Sequence, residues 1–274
     1  ANITGGTAAN HVFYNLVLTD VNDPFGAVGF TVLGDLTYGD SDEPVLGTTG
    51  VPVIFNGTEN QNIISGDPAS ITPDFGAIQI LKADADPGAG TRYNDVILNS
   101  DITISGTAGG DLTITQGNLD LNGNNNILLA GGVNAAVLDE TAGNGTVINS
   151  NPTGSGFIGV EVGTAGINPA ANSVLFGLGI TATNGLDLTA DVEIRRYHVG
   201  RDVATTDLGI NRYYEVITGD VAGTDWDATF AYSELELPGV VATTEPNIQL
   251  YRSTDANASA GSWTLVAGTL NAGN

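Results

Sequence analysis

Three groups of acidic side chains carry the most evident chemistry in this sequence: Asp20/Asp23, Asp40/Asp42/Glu43 and Asp84/Asp86. Carboxylates on loops are the ligands a hard cation takes, and Ca2+ collects about six to eight such oxygens. None of the three groups has EF-hand spacing, and none has the Gly-rich calcium ladder of a β-roll. Solvated turns are therefore the plain expectation, with Ca2+ the one cofactor these residues would accept. Lys82, Arg92 and Tyr93, beside Asp84 and Asp86, are the nearest approach to the base-and-cation set of a polysaccharide lyase. In so acidic a chain Lys82 and Arg92 read instead as a solvated rim. His11 and His198 each sit in an apparent strand, where a single histidine is surface or packing rather than a ligand. No G-x-S-x-G, H-E-x-x-H or phosphate-binding loop occurs. The reading is therefore not an enzyme, with a β-helix polysaccharide lyase or hydrolase kept as the enzymatic rival.

Two further side-chain classes can bind rather than react. Trp226, Tyr232, Tyr251 and Trp263 are candidates for stacking on sugars, against the commoner fate of packing in a core. Asn2, Asn56, Asn144 and Asn257 open N-x-[ST] glycosylation triplets, whereas Asn151 is blocked by Pro152.

The elements that must position these residues read as strands throughout. The chain has 274 residues, with 38 Gly, 10 Pro, no Cys and no Met. Acidic residues number 31 against 7 basic ones, a net charge of −24. Such a charge repels nucleic acid and anionic membrane surfaces. The lack of cysteine excludes disulfides, thiolate metal sites and a Cys nucleophile. No apolar run is long enough for a transmembrane helix. The chain opens without a basic leader segment, so an exported protein is expected to be represented here by its mature chain or a piece of it.

Between about Asp95 and Val133, short apolar pairs recur: Val96/Leu98, Ile102/Ile104, Leu112/Ile114, Leu119/Leu121 and Ile127/Leu129. Strands that short, separated by Gly, Asn and Asp, suit a solenoid in which each strand stacks on that of the next coil. Residues 122–126 (NGNNN) suit a corner, since Asn tolerates left-handed geometry and its side chain can stack in a ladder. A longer repeat aligns Phe13, Leu16 and Leu18 with Phe75, Ile78 and Ile80, and the Gly-Asp-Leu-Thr starting at Gly34 with that at Gly110. From about Gly156 the strands lengthen: 157–162, 174–183, 192–199, 212–217, 228–235, 248–252 and 263–266. Their spacing fits an antiparallel sandwich. The arginines there are expected to pair with nearby carboxylates rather than to bind anions. The fold class is all-β, with a parallel β-helix-like solenoid over 1–155 followed by an antiparallel, Ig-like β-sandwich over 156–274.

The segments 13–16 (FYNL), 55–66 (FNGTENQNIISG) and 112–123 (LTITQGNLDLNG) resemble the β-solenoid repeats of large secreted surface proteins of the Bacteroidetes kind. The segments 177–183, 192–198, 212–216, 230–235 and 250–264 resemble the sandwich that follows those repeats. The resemblance implies an extracellular, bacterial cell-surface protein with a structural or adhesive role and no catalytic residues. Relatives of that kind continue past the Trp263 strand by one more strand, often with a sorting domain. A sandwich without its last strand leaves an apolar groove and an unpaired edge, which another subunit can fill by strand addition. The expected donor is His11, Val12, Phe13, Tyr14, Asn15, Leu16, Val17 and Leu18, with Val12, Tyr14, Leu16 and Leu18 on one face. Burial of those four would contribute about 6–12 kcal/mol before ordering costs. Head-to-tail contacts of this type build filaments. The expectation is a structural homopolymer subunit whose partners are copies of itself. The alternative is a surface adhesin or carbohydrate-binding module with surface glycans as partners. No nucleic acid and no membrane insertion are expected.

Overall fold

The computed structural model describes residues 11–18, 29–39, 45–48, 50–83, 93–105, 111–131, 135–140, 144–163, 173–184, 192–199, 212–218, 227–231, 251–252 and 264–265. Among these residues there are strands and no helix, so none is long and apolar enough to cross a membrane.

Three six-stranded sheets account for most of the strands. The first holds β1 (Val12–Phe13), β3 (Phe30–Val32), β5 (Val53–Phe55), β8 (Ile78–Leu81), β11 (Leu112–Gln116) and β14 (Leu138–Asp139). The second holds β2 (Leu16–Leu18), β4 (Leu36–Tyr38), β6 (Gln61–Ser65), β9 (Val96–Leu98), β12 (Leu119–Asp120) and β15 (Val147–Ile148). The third runs β7 (Asp74–Phe75), β10 (Ile102–Ile104), β13 (Ile127–Leu129) and β16 (Phe157–Gly163), then β19 (Val192–Tyr197) and β20 (Tyr213–Thr218). From β5 to β16 the chain visits the first, second and third sheets in strict rotation. Every pairing within that stretch is parallel. These parallel sheets are consistent with a β-helix-like fold in which each circuit of the chain is one rung.

Alternation decides what faces inward. On β5, β9, β10 and β13 the outer two residues are buried and the middle one half-exposed. Stacking in register then aligns like with like. Val32, Phe55, Ile80 and Ile114 form one inner column, and Phe75, Ile104, Leu129, Val160 and Ile194 another. All nine are 0–1 % exposed. Deleting such a side chain to Ala typically costs about 2–5 kcal/mol. Every apolar pair expected between Asp95 and Val133 is found in this inward position.

The corners follow from backbone sterics. Asn122 and Gly123 turn with φ of 48° and 95°, a region Asn and Gly enter at least cost. The Asn122 side chain donates to Asn99 Oδ1 at 3.2 Å, and Asn99 donates to Asn62 Oδ1 at 2.8 Å. Asn62 in turn donates to Asp35 Oδ1 at 2.9 Å. This is the corner ladder that the Asn-rich segment leads one to expect.

The longer repeat does not mark equivalent positions. Phe13 lies in the first sheet and Phe75 in the third, while Leu16 lies in the second and Ile78 in the first. Leu36 and Leu112 are likewise displaced by one side, in the second and first sheets. All three sides use the same apolar–polar–apolar strand, so the similarity registers sides rather than rungs.

β16 joins two kinds of pairing, parallel to β13 and antiparallel to β19, which continues antiparallel to β20. A separate antiparallel sheet contains β17 (Ser173–Val174), β18 (Ile180–Asn184) and β21 (Asp227–Phe230). β22 (Tyr251–Arg252) and β23 (Thr264–Leu265) pair with each other. The strand expected over 174–183 is broken, because Phe176, Gly177 and Gly179 all adopt positive φ and turn the chain between β17 and β18.

Candidate assembly interface

The first rung is held from one side. Among the described residues β1 pairs only with β3, and β2 only with β4. The His11 carbonyl accepts from Thr31 N at 2.7 Å, and Leu16 N donates to Asp35 O at 2.9 Å. The segment 11–18 therefore lies in its own chain's coil, with a corner at Tyr14 and Asn15. That corner overturns the single apolar face expected for it. Phe13 and Leu16 pack against the core and Leu18 is 3 % exposed, whereas Val12, Tyr14 and Val17 point out at 55 %, 71 % and 58 % exposure. The alternation is interrupted because the chain turns from the first sheet to the second within the segment. Leu18 is thus already buried intramolecularly, and the burial expected from four donor side chains is not available to a partner.

At the opposite end the chain covers itself. Leu138 N on β14 donates to Phe176 O at 3.0 Å, and Leu175 and Leu178 are buried in the core. A Cβ on Gly177 would lie 1.7 Å from Leu138 O, so only glycine permits this approach.

A buried polar cluster fastens the same end. Arg196 follows Ile102, Ile127 and Ile158 in an inner column of the third sheet and is 0 % exposed. Its Nη2 donates to both Glu140 carboxylate oxygens at 2.8 Å. Glu140 Oε1 also accepts from Thr146 Oγ1 at 2.7 Å and Val147 N at 2.8 Å. Burial works against the Glu140 carboxylate, yet the Arg196 charge and these hydrogen bonds hold its pKa below 4.5. Arg196 Nε donates to His198 Nε2 at 2.9 Å, which makes that nitrogen an acceptor and the ring neutral. Burial first, then the Arg196 and Arg212 charges, keep the His198 pKa well below 6.5.

Lys82 is the second buried charge, and here the expectation of a solvated rim fails. It is 0 % exposed. Its Nζ donates to Gln61 Oε1 at 2.5 Å and to Glu59 O at 2.7 Å. Gln61 is also 0 % exposed and donates from Nε2 to Val32 O and Gly34 O at 2.9 and 2.7 Å. Burial pulls the Lys82 pKa down to about 8, opposed by the charges of Asp95 and Glu59. Both clusters had a signal in the alternation. Lys82 is in phase with Ile78 and Ile80, Gln61 with Ile63, and Arg196 with Val192 and Ile194. The pairings themselves had none, since Lys82 with Gln61 and Arg196 with Glu140 are brought together by stacking.

On the outer face of the third sheet, Arg195 pairs with Glu193 at 2.6 Å and Glu215 at 3.3 Å, as expected for these arginines. Phe157, Tyr197 and Tyr213 form a row across β16, β19 and β20, with Tyr197 and Tyr213 stacked at 4.3 Å. Arg195 lies 4.7 Å over the Phe157 ring. Tyr197 and Tyr213 give one face to each other, and Phe157 gives a face to the Arg195 guanidinium.

The acidic residues Asp20, Asp23, Asp40, Asp42, Glu43, Asp84 and Asp86 lie outside the described residues, as do Arg92, Asn2, Asn257, Trp226, Tyr232 and Trp263. Tyr251 is placed in β22, with its side chain outside what is described. Among the described residues no group of three or more His, Asp or Glu is arranged to hold a metal ion. Asn56 is half-buried after β5, and Asn144 is exposed, bridged to Gln116. The hydroxyl of Thr146, third residue of the Asn144 triplet, is committed to Glu140. No protein family, no curated protein and no solved structure matches this chain.

Proposed function

We propose that this protein is a non-enzymatic structural subunit of an extracellular bacterial filament or surface layer, assembled head to tail by strand addition between copies. In this reading a β-solenoid over 1–155 precedes an antiparallel sandwich over 156–274. The observation that carries it is the first rung: β1 and β2 are hydrogen-bonded on one side, among the described residues, and display Val12, Tyr14 and Val17. A parallel edge unpaired among the described residues, with outward apolar side chains, is a template for another strand. Among the described residues β1 and β2 are paired on one side only, whereas Leu138 of β14 at the other end is bonded to Phe176, so in this reading contacts between copies are heterologous and propagate rather than close. The net charge of −24 opposes lateral clumping of such polymers.

Electron microscopy and light scattering of the purified chain over a concentration series test the reading. Filaments or concentration-dependent oligomers are expected, lost in Val12→Asp/Val17→Asp with an unchanged melting temperature. Monodisperse monomers at high concentration overturn it.

A further inference from the structure

We propose that Lys82 and Gln61 form an intramolecular isopeptide cross-link, with loss of ammonia, that staples neighbouring rungs of the coil. The proposal is independent of the assembly reading.

Four observations converge on the pair. First, the Lys82 amine is already at the Gln61 amide, with Nζ 2.5 Å from Oε1. From there a short displacement, off the carbonyl oxygen and over the face of Cδ, brings the nitrogen into the ~3–3.5 Å range of attack. Second, the amide is immobilised. Its Nε2 donates to Val32 O and Gly34 O, so the plane cannot turn away from the amine. Third, Gly57 N donates to the same Oε1 at 2.8 Å. A fixed backbone N–H on the carbonyl oxygen is the donor that an oxyanion needs when negative charge develops there. Fourth, both side chains are 0 % exposed, and the lysine stem is pressed on Gly117, where a Cβ would lie 2.4 Å from Lys82 Cγ. Bulk water does not compete for the amide carbon.

The groups around the pair also handle the protons. Burial favours the neutral amine, the nucleophilic form. Asp95 is half-buried and its charge acts on Lys82, so its carboxylate is the base assigned to take the ammonium proton and return it to the departing ammonia. The Lys82 ammonium first gives up one proton. Its Nζ lone pair then bonds to Cδ while the carbonyl pair moves to Oε1 under the Gly57 N–H. A proton passes from Nζ to Nε2, the pair on Oε1 returns, the Cδ–Nε2 bond breaks, and ammonia leaves. The product is a secondary amide, and no oxidant or reductant is consumed.

Position explains what the bond adds. Gln61 opens β6, and Lys82 follows β8 in the next circuit, 21 residues on. Backbone hydrogen bonds between rungs open one at a time from an edge, whereas a covalent tie between rungs shortens the unfolded loop and does not fray.

Intact mass spectrometry of the folded full chain, followed by trypsin digestion after unfolding, tests the proposal. The expected result is a mass below the sequence mass by one ammonia, no cleavage after Lys82, and fragment spectra joining Lys82 to Gln61. The Lys82→Arg variant is expected at its full sequence mass. Asn-Gly steps such as Asn56-Gly57 and Asn144-Gly145 also lose ammonia, as succinimides, and do so without Lys82. A wild-type ammonia loss no larger than that of Lys82→Arg therefore overturns the proposal. So does wild-type protein of full sequence mass that trypsin cuts after Lys82, a readout independent of whether the variant folds.

Discussion

Arg196 and Glu140 stand 56 residues apart in sequence, and one guanidinium nitrogen holds both carboxylate oxygens at 2.8 Å. The pair connects β19, between β16 and β20 in the third sheet, to the residue that follows β14 on the last rung. Its desolvated charges are supported by Thr146, the Val147 N–H and His198.

Removal of either partner leaves the other buried and unpaired. Arg196→Leu and Glu140→Leu are each expected to lower the unfolding free energy by about 3–5 kcal/mol. The double variant is expected to lose less than the sum, since neither charge remains to be stranded. Chemical denaturation of the four proteins of this cycle checks it, and additive losses would show that the two residues act separately.

The same cluster sets an acid limit on stability. His198 keeps a pKa well below 6.5 when folded, so below about pH 6.5 the unfolded chain binds a proton that the folded chain does not. Stability therefore falls as the pH drops through that range. Glu140 adds a second loss below its ordinary 4.5, because its folded pKa is lowered. Melting temperatures across pH 4–8 are expected to decline toward acid, and His198→Gln is expected to flatten the part of the decline near pH 6.

Rung spacing rests on glycines at one corner. A Cβ on Gly145 would lie 1.8 Å from Gly117 O, and Gly117 itself has φ of 82°. Gly145→Ala is expected to destabilise by roughly 3 kcal/mol, the upper end of ordinary single substitutions. Gly50 has a φ of 90° but open space around it, so Gly50→Ala is expected to show only the backbone cost, about 1 kcal/mol. Thermal unfolding of the two variants separates steric from conformational effects.

The amide ladder is solvent-facing and should matter less. Asn99→Ala removes its bonds to Asn62 and Asn122, whose freed groups can hydrate. A loss of about 1 kcal/mol is expected. Hydrogen exchange is expected to rise at this corner while β9 and β10 remain protected.

Short strands with apolar first and third residues, broken by Gly, Asn and Asp, sufficed to predict an all-β chain with closely spaced strands. The inward positions of Val96, Leu98, Ile102, Ile104, Ile127 and Leu129 were legible because a period of two leaves no other face for them. The Asn122–Gly123 corner was legible from side-chain chemistry alone. Which side of the coil each strand occupies was not legible, because all three sides obey the same alternation. That ambiguity displaced Phe75 from the side of Phe13 and hid the corner at Tyr14. Local pattern also cannot pair residues from different rungs, since circuits differ in length: Asn62 and Asn99 are 37 residues apart, Asn99 and Asn122 only 23. The meetings of Lys82 with Gln61 and of Arg196 with Glu140 were accordingly decided by tertiary stacking. There the need to satisfy buried polar groups selected partners that no spacing in the chain announces.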